Sequence, residues 1–508
     1  MATLKELRDE RLRKLADLHE LGVNPYPAKA NRTNMAGQVL ADFAELEGKT
    51  VTIAGRIVSI RKFGKLAFIV VRDNSGQLQL FIKAGSLNDK PDFANSELGL
   101  KQLTLLDSGD FIEAKGTVIK TQTGEISVDT KTLRLLTKSL RPMPTIQEGF
   151  TNKEERMRRR YVDTNVNKDV YDRYVRRSLF WQATRNFLKE NDFLEINIPV
   201  LENIAGGADA NPFVTHMDAL DQDFYLRISH ELPLKRLLVA GYEKVFDIGP
   251  RFRNENYSEE HLPEHIAMEW YWAYADWQKG MDFTERMIRR VVDETWGTRV
   301  FTLADGKQVD FGADGEHFAK VSFVDVLHDK FGIDVFKSDI AEISAKLKAE
   351  GLEVEKQDNR QRSLDKLWKK YRKTLAGPVF LVDMPTFMQP LAKCQPENPQ
   401  LTEQFNLVFG GSEMCKAFSE LNDPIDQLNR FVEQQNMRDA GDDEAQMMDI
   451  DYVEALEYAM PPACGFGWSE RVFWSLEGVT AREGVPFPQL KSEIDELTKT
   501  IYGTELFN

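Results

Sequence analysis

Residues 245–276, VFDIGPRFRNENYSEEHLPEHIAMEWYWAYAD, constrain the fold more than any other stretch of the chain. An apolar run at 245–248 reads as a strand, and a cationic loop, Arg251-Phe252-Arg253-Asn254-Glu255, follows it. After a polar stretch, a second apolar run centres on Met268-Glu269-Trp270-Tyr271. Strand, charged loop and returning strand make a long hairpin. It carries arginines on one arm and Glu269 on the other, among apolar neighbours where charges need partners. The planar arginine fork suits phosphate and carboxylate. The pattern alone also fits a surface hairpin with ordinary ion pairs.

At 508 residues the chain is long enough for two or more cores. Hydrophobic residues at 42% and charged residues at 29% describe a soluble globular protein. No apolar run reaches the roughly 18 residues of a membrane span, and the start, MATLKELRDERLRK, is too charged for a secretory signal. Cys394, Cys415 and Cys464 lie far apart without a C-x-x-C, which gives neither a disulfide framework nor a thiolate zinc site. A reducing, cytoplasmic location is expected. The net charge of −15 argues against nucleic-acid binding by bulk attraction, so any such partner needs local basic patches.

The chain begins with an expected helix over 3–21, capped by Thr3 with Glu6. Its Leu4, Leu7, Leu12, Leu15 and Leu18 form one stripe, and Arg8, Arg11, Arg13 and Lys14 a basic face, either solvated or touching phosphates. From Thr50 to about Lys138, five short strands, two of them joined at Asn74-Ser75-Gly76, suggest a small closed barrel of the OB type. Such barrels stack bases on aromatics in a basic groove; Phe68, near Arg61, Lys62, Lys65 and Gln79, is a candidate stacker or a core residue. Arg141-Pro142-Met143-Pro144 reads as a stiff linker, and KEERMRRR at 153–160 as a hinge helix or a solvated helix start. A helix at 169–189 precedes FLEINIPVLENIAGGADANPF, a strand ending at Pro199; there Gly206-Gly207 permits close backbone approach to a ligand. Helical spacing recurs within 322–376, an expected insertion. The segments QFNLVFGGSEMCKAFSELND and PPACGFGWSERVFW close the reading: strand, turn, strand, and then a glycine-containing strand entering a helix at Arg471.

No nucleophile constellation, P-loop or G-x-G-x-x-G stands out. His261-Leu262-Pro263-Glu264-His265 matches H-x-x-E-H formally, but Pro263 would interrupt the helix that zinc ligation needs.

FRNE, H-x-P-E and ME-x-Y-x-AYAD together resemble the second signature motif of class II aminoacyl-tRNA synthetases, in the version of the lysyl-tRNA synthetases, and the resemblance covers nearly the whole chain. It implies an α+β protein: an N-terminal helix (1–25), an OB-fold anticodon-binding domain (26–144) and a class II catalytic domain (145–508) built on an antiparallel sheet flanked by helices. It implies ATP as a substrate with Mg²⁺, L-lysine and tRNA(Lys) as partners, and a homodimer formed through the first motif, with no membrane association. The matching motifs put Arg253 between the substrate carboxylate and the α-phosphate, and Arg471 at the γ-phosphate and adenine. They put Glu255, His261 and His265 on the nucleotide, Glu413 and Asn406 on the metal, and Arg61, Phe68, Gln79 and Glu125 on the anticodon. Gly207, Glu231, Glu269, Tyr271, Lys416, Phe418 and Glu420 would form the lysine pocket, with Glu231 on the α-ammonium and Glu269, Tyr271 and Glu420 on the ε-ammonium. Converging carboxylates repel unless a cation joins them, and a dicationic amino acid supplies one.

The chain departs from the family at His265 (Phe is usual), Asn406 (a metal-binding Glu), Lys416 (Asn) and Glu260 (a loop Arg). Its third motif is one residue short at Trp468-Ser469. Lys416 is expected to replace part of the metal's charge or to hold the lysine carboxylate, leaving Glu413 as the main metal ligand. The other readings are an RNA-binding paralogue with a drifted ATP site and an adenylate-forming ligase with a non-tRNA acceptor.

Overall fold

The computed structural model describes residues 3–88, 90–144, 150–255, 258–355, 358–441 and 445–503. The chain forms two compact units. One comprises the described residues of Met1–Arg156, Tyr161–Val166 and Leu490–Asn508, the other Met157–Arg160 and Asn167–Gln489. The described residues from Leu490 on, grouped with the catalytic half in the sequence reading, fall in the first unit, where Tyr502 lies against Arg8 and Arg141.

In the first unit, helix α1 (Leu4–Glu20) starts at the expected capping box: Thr3 Oγ1 accepts the Glu6 N–H, and the Glu6 carboxylate accepts that of Thr3. Its basic face is not simply solvated. Arg11 is buried, donating to the Ser139, Arg141 and Ser108 carbonyls, and Lys14 pairs with Asp107 at 2.6 Å. Five strands, β1 (Thr50–Phe63), β2 (Leu66–Arg72), β3 (Gln77–Lys83), β4 (Phe111–Lys120) and β5 (Ile126–Thr137), close into a barrel in the order β1-β2-β3-β5-β4. Closure requires sharp curvature, and the β4–β5 register slips at Lys115/Gly116. A Cβ at Gly116 would collide with the Asp129 and Thr130 backbone. Alternate side chains such as Ile53, Ile69, Leu80, Val128 and Leu135 fill the interior.

The second unit is built on one sheet. Its strands are β6 (Leu194–Glu195), β7 (Lys244–Phe252), β8 (Glu264–Ala273), β9 (Ala319–Ser322), β10 (Val379–Val382), β11 (Gln404–Phe409), β12 (Cys415–Ser419) and β13 (Ala463–Ser469). They run in the order β9-β10-β11-β12-β13-β8-β7-β6, with the short strand Ser412–Glu413 pairing β11. The sheet is antiparallel in the middle, as expected, but β9/β10 and β7/β6 are parallel, so it is mixed. A parallel pair needs a long crossover. The expected insertion supplies it with helices α2 (Phe323–Phe331), α3 (Ile340–Ala349) and α4 (Arg360–Arg372), whose Ile343, Leu347, Leu364 and Trp368 pack on Leu381 and Val408 of the sheet. The strand expected to end at Pro199 is only two residues long, pairing with Val245 and Phe246 alone, and the Ile196 N–H makes one further bond to the Phe246 carbonyl.

The hairpin is longer than its apolar pattern suggested. Strand β7 continues through Arg251 and Phe252, with Arg251 opposite His265 and Asp247 opposite Glu269. Trp270 stacks on Phe466 of β13, centroids 5.2 Å apart. The long helix α5 (Lys168–Glu190) sends Phe180 and Phe187 into the same core, the former against Trp468. Its opposite side leaves Tyr171, Val175 and Leu179, each four residues apart, 40%, 45% and 39% exposed.

Candidate active site

Antiparallel pairing fixes which side chains share a row. Glu269, Gly467 and Lys416 lie side by side across β8, β13 and β12, and Tyr271, Gly465 and Phe418 form the next row. The middle strand contributes glycines because its neighbours need the space. A Cβ at Gly465 would overlap the Tyr271 ring and Glu420, and one at Gly467 would press on Glu269 at 3.2 Å. The result is a cavity of about 350 Å³. Helix α6 (Glu231–Val239) delivers Glu231 at one side, and Gly207, φ +83°, leaves room for it, since a Cβ there would lie 2.8 Å from that of Glu231.

All the expected nucleotide and amino-acid residues except Glu420 line this cavity: Gly207, Glu231, Arg253, Glu255, His261, His265, Glu269, Tyr271, Glu413, Lys416, Phe418 and Arg471. Glu420 lies beneath it, 1% exposed. Asn406 is set apart too, lining an adjoining cavity that shares Glu413 and Lys416.

The carboxylates are not waiting for a ligand's cation to neutralise them, as the sequence argument supposed. The fully buried Lys235, one helical turn after Glu231, donates to Glu231 Oε1 at 2.6 Å and pairs with Glu420. Its ammonium also lies 5.3 Å from the Phe418 ring centroid. Burial disfavours that ammonium, but Glu231 and Glu420 outweigh it and raise its pKa. The third carboxylate, Glu269, accepts Ser229 Oγ–H (2.8 Å), the His230 N–H (3.1 Å) and the Tyr271 hydroxyl (3.1 Å). Burial works against its charge, yet His230, Arg251 and these donors hold it down at a pKa of about 2. Arg251 NH1 stands 3.7 Å from it.

The end of the cavity at Arg253 and Arg471 is cationic. Arg253 and Arg471 each have a buried Nε without a hydrogen-bond partner, which suits an anion able to accept from them. Arg471 also donates to the Glu413 carbonyl at 3.3 Å and to His261 Nε2. Burial, with Arg471 alongside, lowers the His261 pKa to about 4, keeping that nitrogen an acceptor at neutral pH. His265 accepts Arg251 Nε–H at 2.8 Å and donates Nδ1–H to the Leu262 carbonyl at 3.2 Å. Burial and both hairpin arginines push its pKa well below the usual value.

The expected metal pair, Glu413 and Asn406, does not stand as a ligand pair. Glu413 Oε1 accepts Trp368 Nε1–H (2.7 Å) and pairs with Arg372 (2.9 Å); its Oε2 accepts the Asn406 amide N–H (2.7 Å). Asn406 Oδ1 in turn accepts from Gln404 at 3.1 Å. Lys416 is not the cation on Glu413; its ammonium lies 5.7 Å from the Phe418 centroid.

In the barrel unit, Arg61, Phe68, Gln79 and Glu125 line one concavity with Phe63. Phe68 is half-buried, edge-on to the exposed Phe63 and 5.4 Å from Phe81, and Arg61 donates to Gln79 at 3.3 Å.

Sequence reasoning missed Lys235, Arg251 as a pocket residue, and Arg372. Lys235 had a signal, the i,i+4 spacing from Glu231, and Arg251 the i,i+2 spacing from Arg253 on a strand. Arg372 arrives from a helix remote in sequence and had none. Lys235→Met should lower unfolding free energy by about 3–5 kcal/mol, because it strands two buried carboxylates. In urea denaturation, Lys235→Met and Glu420→Gln should be strongly non-additive; additivity within about 0.5 kcal/mol would show the two to be uncoupled.

Residues 152–491 match the family described as tRNA synthetases class II (D, K and N), and residues 51–136 match the OB-fold nucleic acid binding domain. A lysine–tRNA ligase of Thermotoga maritima is 40% identical over 96% of both chains. Those of Roseiflexus castenholzii and Carboxydothermus hydrogenoformans are each 41% identical, over 96% of this chain and 99% and 98% of theirs. A family match over 152–491 and similarity along nearly the full length converge with the site geometry: the chain belongs to the class II tRNA synthetases (D, K and N).

Proposed function

We propose that the chain activates L-lysine with ATP and transfers it to the 3′ end of tRNA(Lys). The observation that carries the choice of amino acid is the set of groups around Tyr271. Glu231, Glu269 and Glu420 converge there from three segments beside the aromatic faces of Tyr271 and Phe418, a lining suited to a ligand's ammonium groups. In this reading Glu231 and Gly207 receive the α-ammonium, Glu269, Tyr271 and Glu420 the ε-ammonium against Phe418, and Lys416 the carboxylate end.

A lysine carboxylate oxygen attacks the α-phosphorus of ATP; the P–O bond to the β-phosphate breaks and pyrophosphate leaves with the electron pair. A tRNA ribose hydroxyl then attacks the lysyl carbonyl, and AMP departs. No covalent enzyme intermediate is needed, only alignment and charge stabilisation. Arg253 bridges the carboxylate and the α-phosphate. Arg471 and His261 hold the far phosphates, and Glu255 and the neutral His265 contact the nucleotide. The residues at Glu413 and Asn406 do not fit a two-ligand Mg²⁺ site, and no step is assigned to one. The drifted-site reading draws on these same departures, and pyrophosphate exchange with each amino acid in turn separates it from activation. Lysine should be the amino acid that drives exchange; absence of exchange with any of them would leave an RNA-binding paralogue.

We infer that the barrel concavity reads the anticodon, with Phe68 and Phe63 as stacking platforms and Arg61, Gln79 and Glu125 as polar contacts. We also infer a homodimer through α5, since Tyr171, Val175 and Leu179 expose an apolar stripe. No described helix is long and apolar enough to cross a membrane, and the cytoplasmic assignment rests on composition.

Glu420→Gln should raise the lysine KM about tenfold to a hundredfold while sparing the ATP KM, because a charge-assisted contact in a dry site contributes about 1.5–3 kcal/mol. Unchanged lysine kinetics would remove Glu420 from the pocket. Phe68→Ala should weaken tRNA binding by about 1–3 kcal/mol and leave pyrophosphate exchange intact; equal affinities in a filter-binding titration would exclude stacking. Val175→Glu should shift the sedimenting species from dimer to monomer, and an unaltered dimer would place the interface elsewhere.

A further inference from the structure

The half-buried carboxylate Glu413 already accepts from three donors. Two N–H donors, the Trp368 indole and the Arg372 guanidinium, converge on Oε1, and the Asn406 amide donates to Oε2. Burial raises the Glu413 pKa, but Arg372, then Trp368 and Asn406, more than reverse it and hold the group ionised. Mg²⁺ demands oxygen ligands at about 2.0–2.1 Å in near-octahedral array. To enter here it would have to displace a guanidinium and an indole from one oxygen, or an amide N–H from the other. Asn406 could turn its own oxygen inward only by breaking its bond with Gln404. Among the described residues, the only three carboxylate or imidazole groups close enough to share a metal are Asp282, Glu285 and His317, and none lines the pocket. In that trio Glu285 is already engaged by the Phe318 N–H and His317, so it carries no site of its own.

We propose that Arg372 is a positioning residue whose guanidinium takes the place of a protein-held divalent cation at Glu413, so that the triphosphate of ATP is gripped without a metal bridge to the protein. Arg372 reaches the site from α4, on the crossover between the two parallel edge strands, and is 15% exposed against Glu413. Its charge neutralises Glu413 next to Arg471, which also holds the Glu413 carbonyl. With Glu413 neutralised by Arg372, Glu255 and Glu260 are the acidic groups left beside Arg253 and Arg471 in the cavity. An ion-paired Glu413 also keeps its backbone carbonyl where Arg471 needs it, so Arg372 acts through Glu413 rather than on the nucleotide. The inference rests on the reading of this pocket as the ATP site.

Calorimetric titration of the full chain with ATP, in EDTA and in excess Mg²⁺, tests it without requiring turnover. The dissociation constants should agree within about threefold. Arg372→Gln should weaken binding in EDTA by about tenfold to a hundredfold, the loss of one charge-assisted contact, with Mg²⁺ restoring part of it; Arg372→Lys should keep most of the native affinity. Mn²⁺ titration followed by electron paramagnetic resonance should show no ion held through Glu413 in the native chain, and one gained in Arg372→Gln/Asn406→Glu. Native ATP binding that falls more than tenfold in EDTA, or Mn²⁺ bound to the native chain and released by Glu413→Gln, would overturn the proposal while leaving ATP as the substrate. No ATP binding in either buffer would overturn the ATP reading itself. Should Arg372→Gln fail to fold, the comparison on the native chain still decides.

Discussion

The buried ammonium of Lys235 is the interaction on which the acidic end of the cavity depends. It joins Glu231 at the start of its own helix to Glu420, which follows strand β12, so two segments far apart in sequence meet through one charge. Burial pushes the pKa of both carboxylates up, and Lys235 is the largest influence opposing that rise. The arrangement costs desolvation and returns geometry: the acids are fixed before any ligand arrives. Preorganised charge of this kind spares reorganisation at the moment of reaction. Beside it, Asp247, His230 and Glu269 continue the polar layer under the hairpin, with Arg227 2.9 Å from Asp247.

Two other cations follow the same logic. Arg251 stands between His265 and Glu269, and Arg372 stands on Glu413. In each case a positive side chain lies beside a carboxylate of the cavity wall. The two residues His265 and Asn406 are therefore not isolated: each hydrogen-bonds into one of these clusters. The pocket carries more of its own counter-charge than its motifs alone convey.

What the sequence made legible was whatever a local period or a cap encodes. Thr3 and Glu6 specify the first helix, Asn74-Ser75-Gly76 the turn between two barrel strands, and the alternation around Ile53 the barrel itself. The hairpin and the pocket-lining residues were legible because motif residues sit on adjacent strands whose register brings them into rows. Less legible was anything set by pairing at the sheet's margins. The parallel edge strands, the two-residue β6 and the extension of β7 through Arg251 depend on partners that no short window contains. Charge pairing across remote segments was hidden for the same reason, which is why converging glutamates invited a ligand's cation when Lys235 was already there.

Gly465 and Gly467 give the site a floor made of main chain. A side-chain floor could be repacked by rotamer changes; a backbone floor in the middle of a sheet cannot, because its height is tied to the ladder on both sides. The depth of the cavity there is therefore a property of the sheet rather than of any one residue. Two absent methyl groups act as a ruler for the longest side chain the site admits. A methyl restored at 465 would intrude on the end where Tyr271 and Glu420 meet, and so would exclude the tip of a long amine before its shorter homologues.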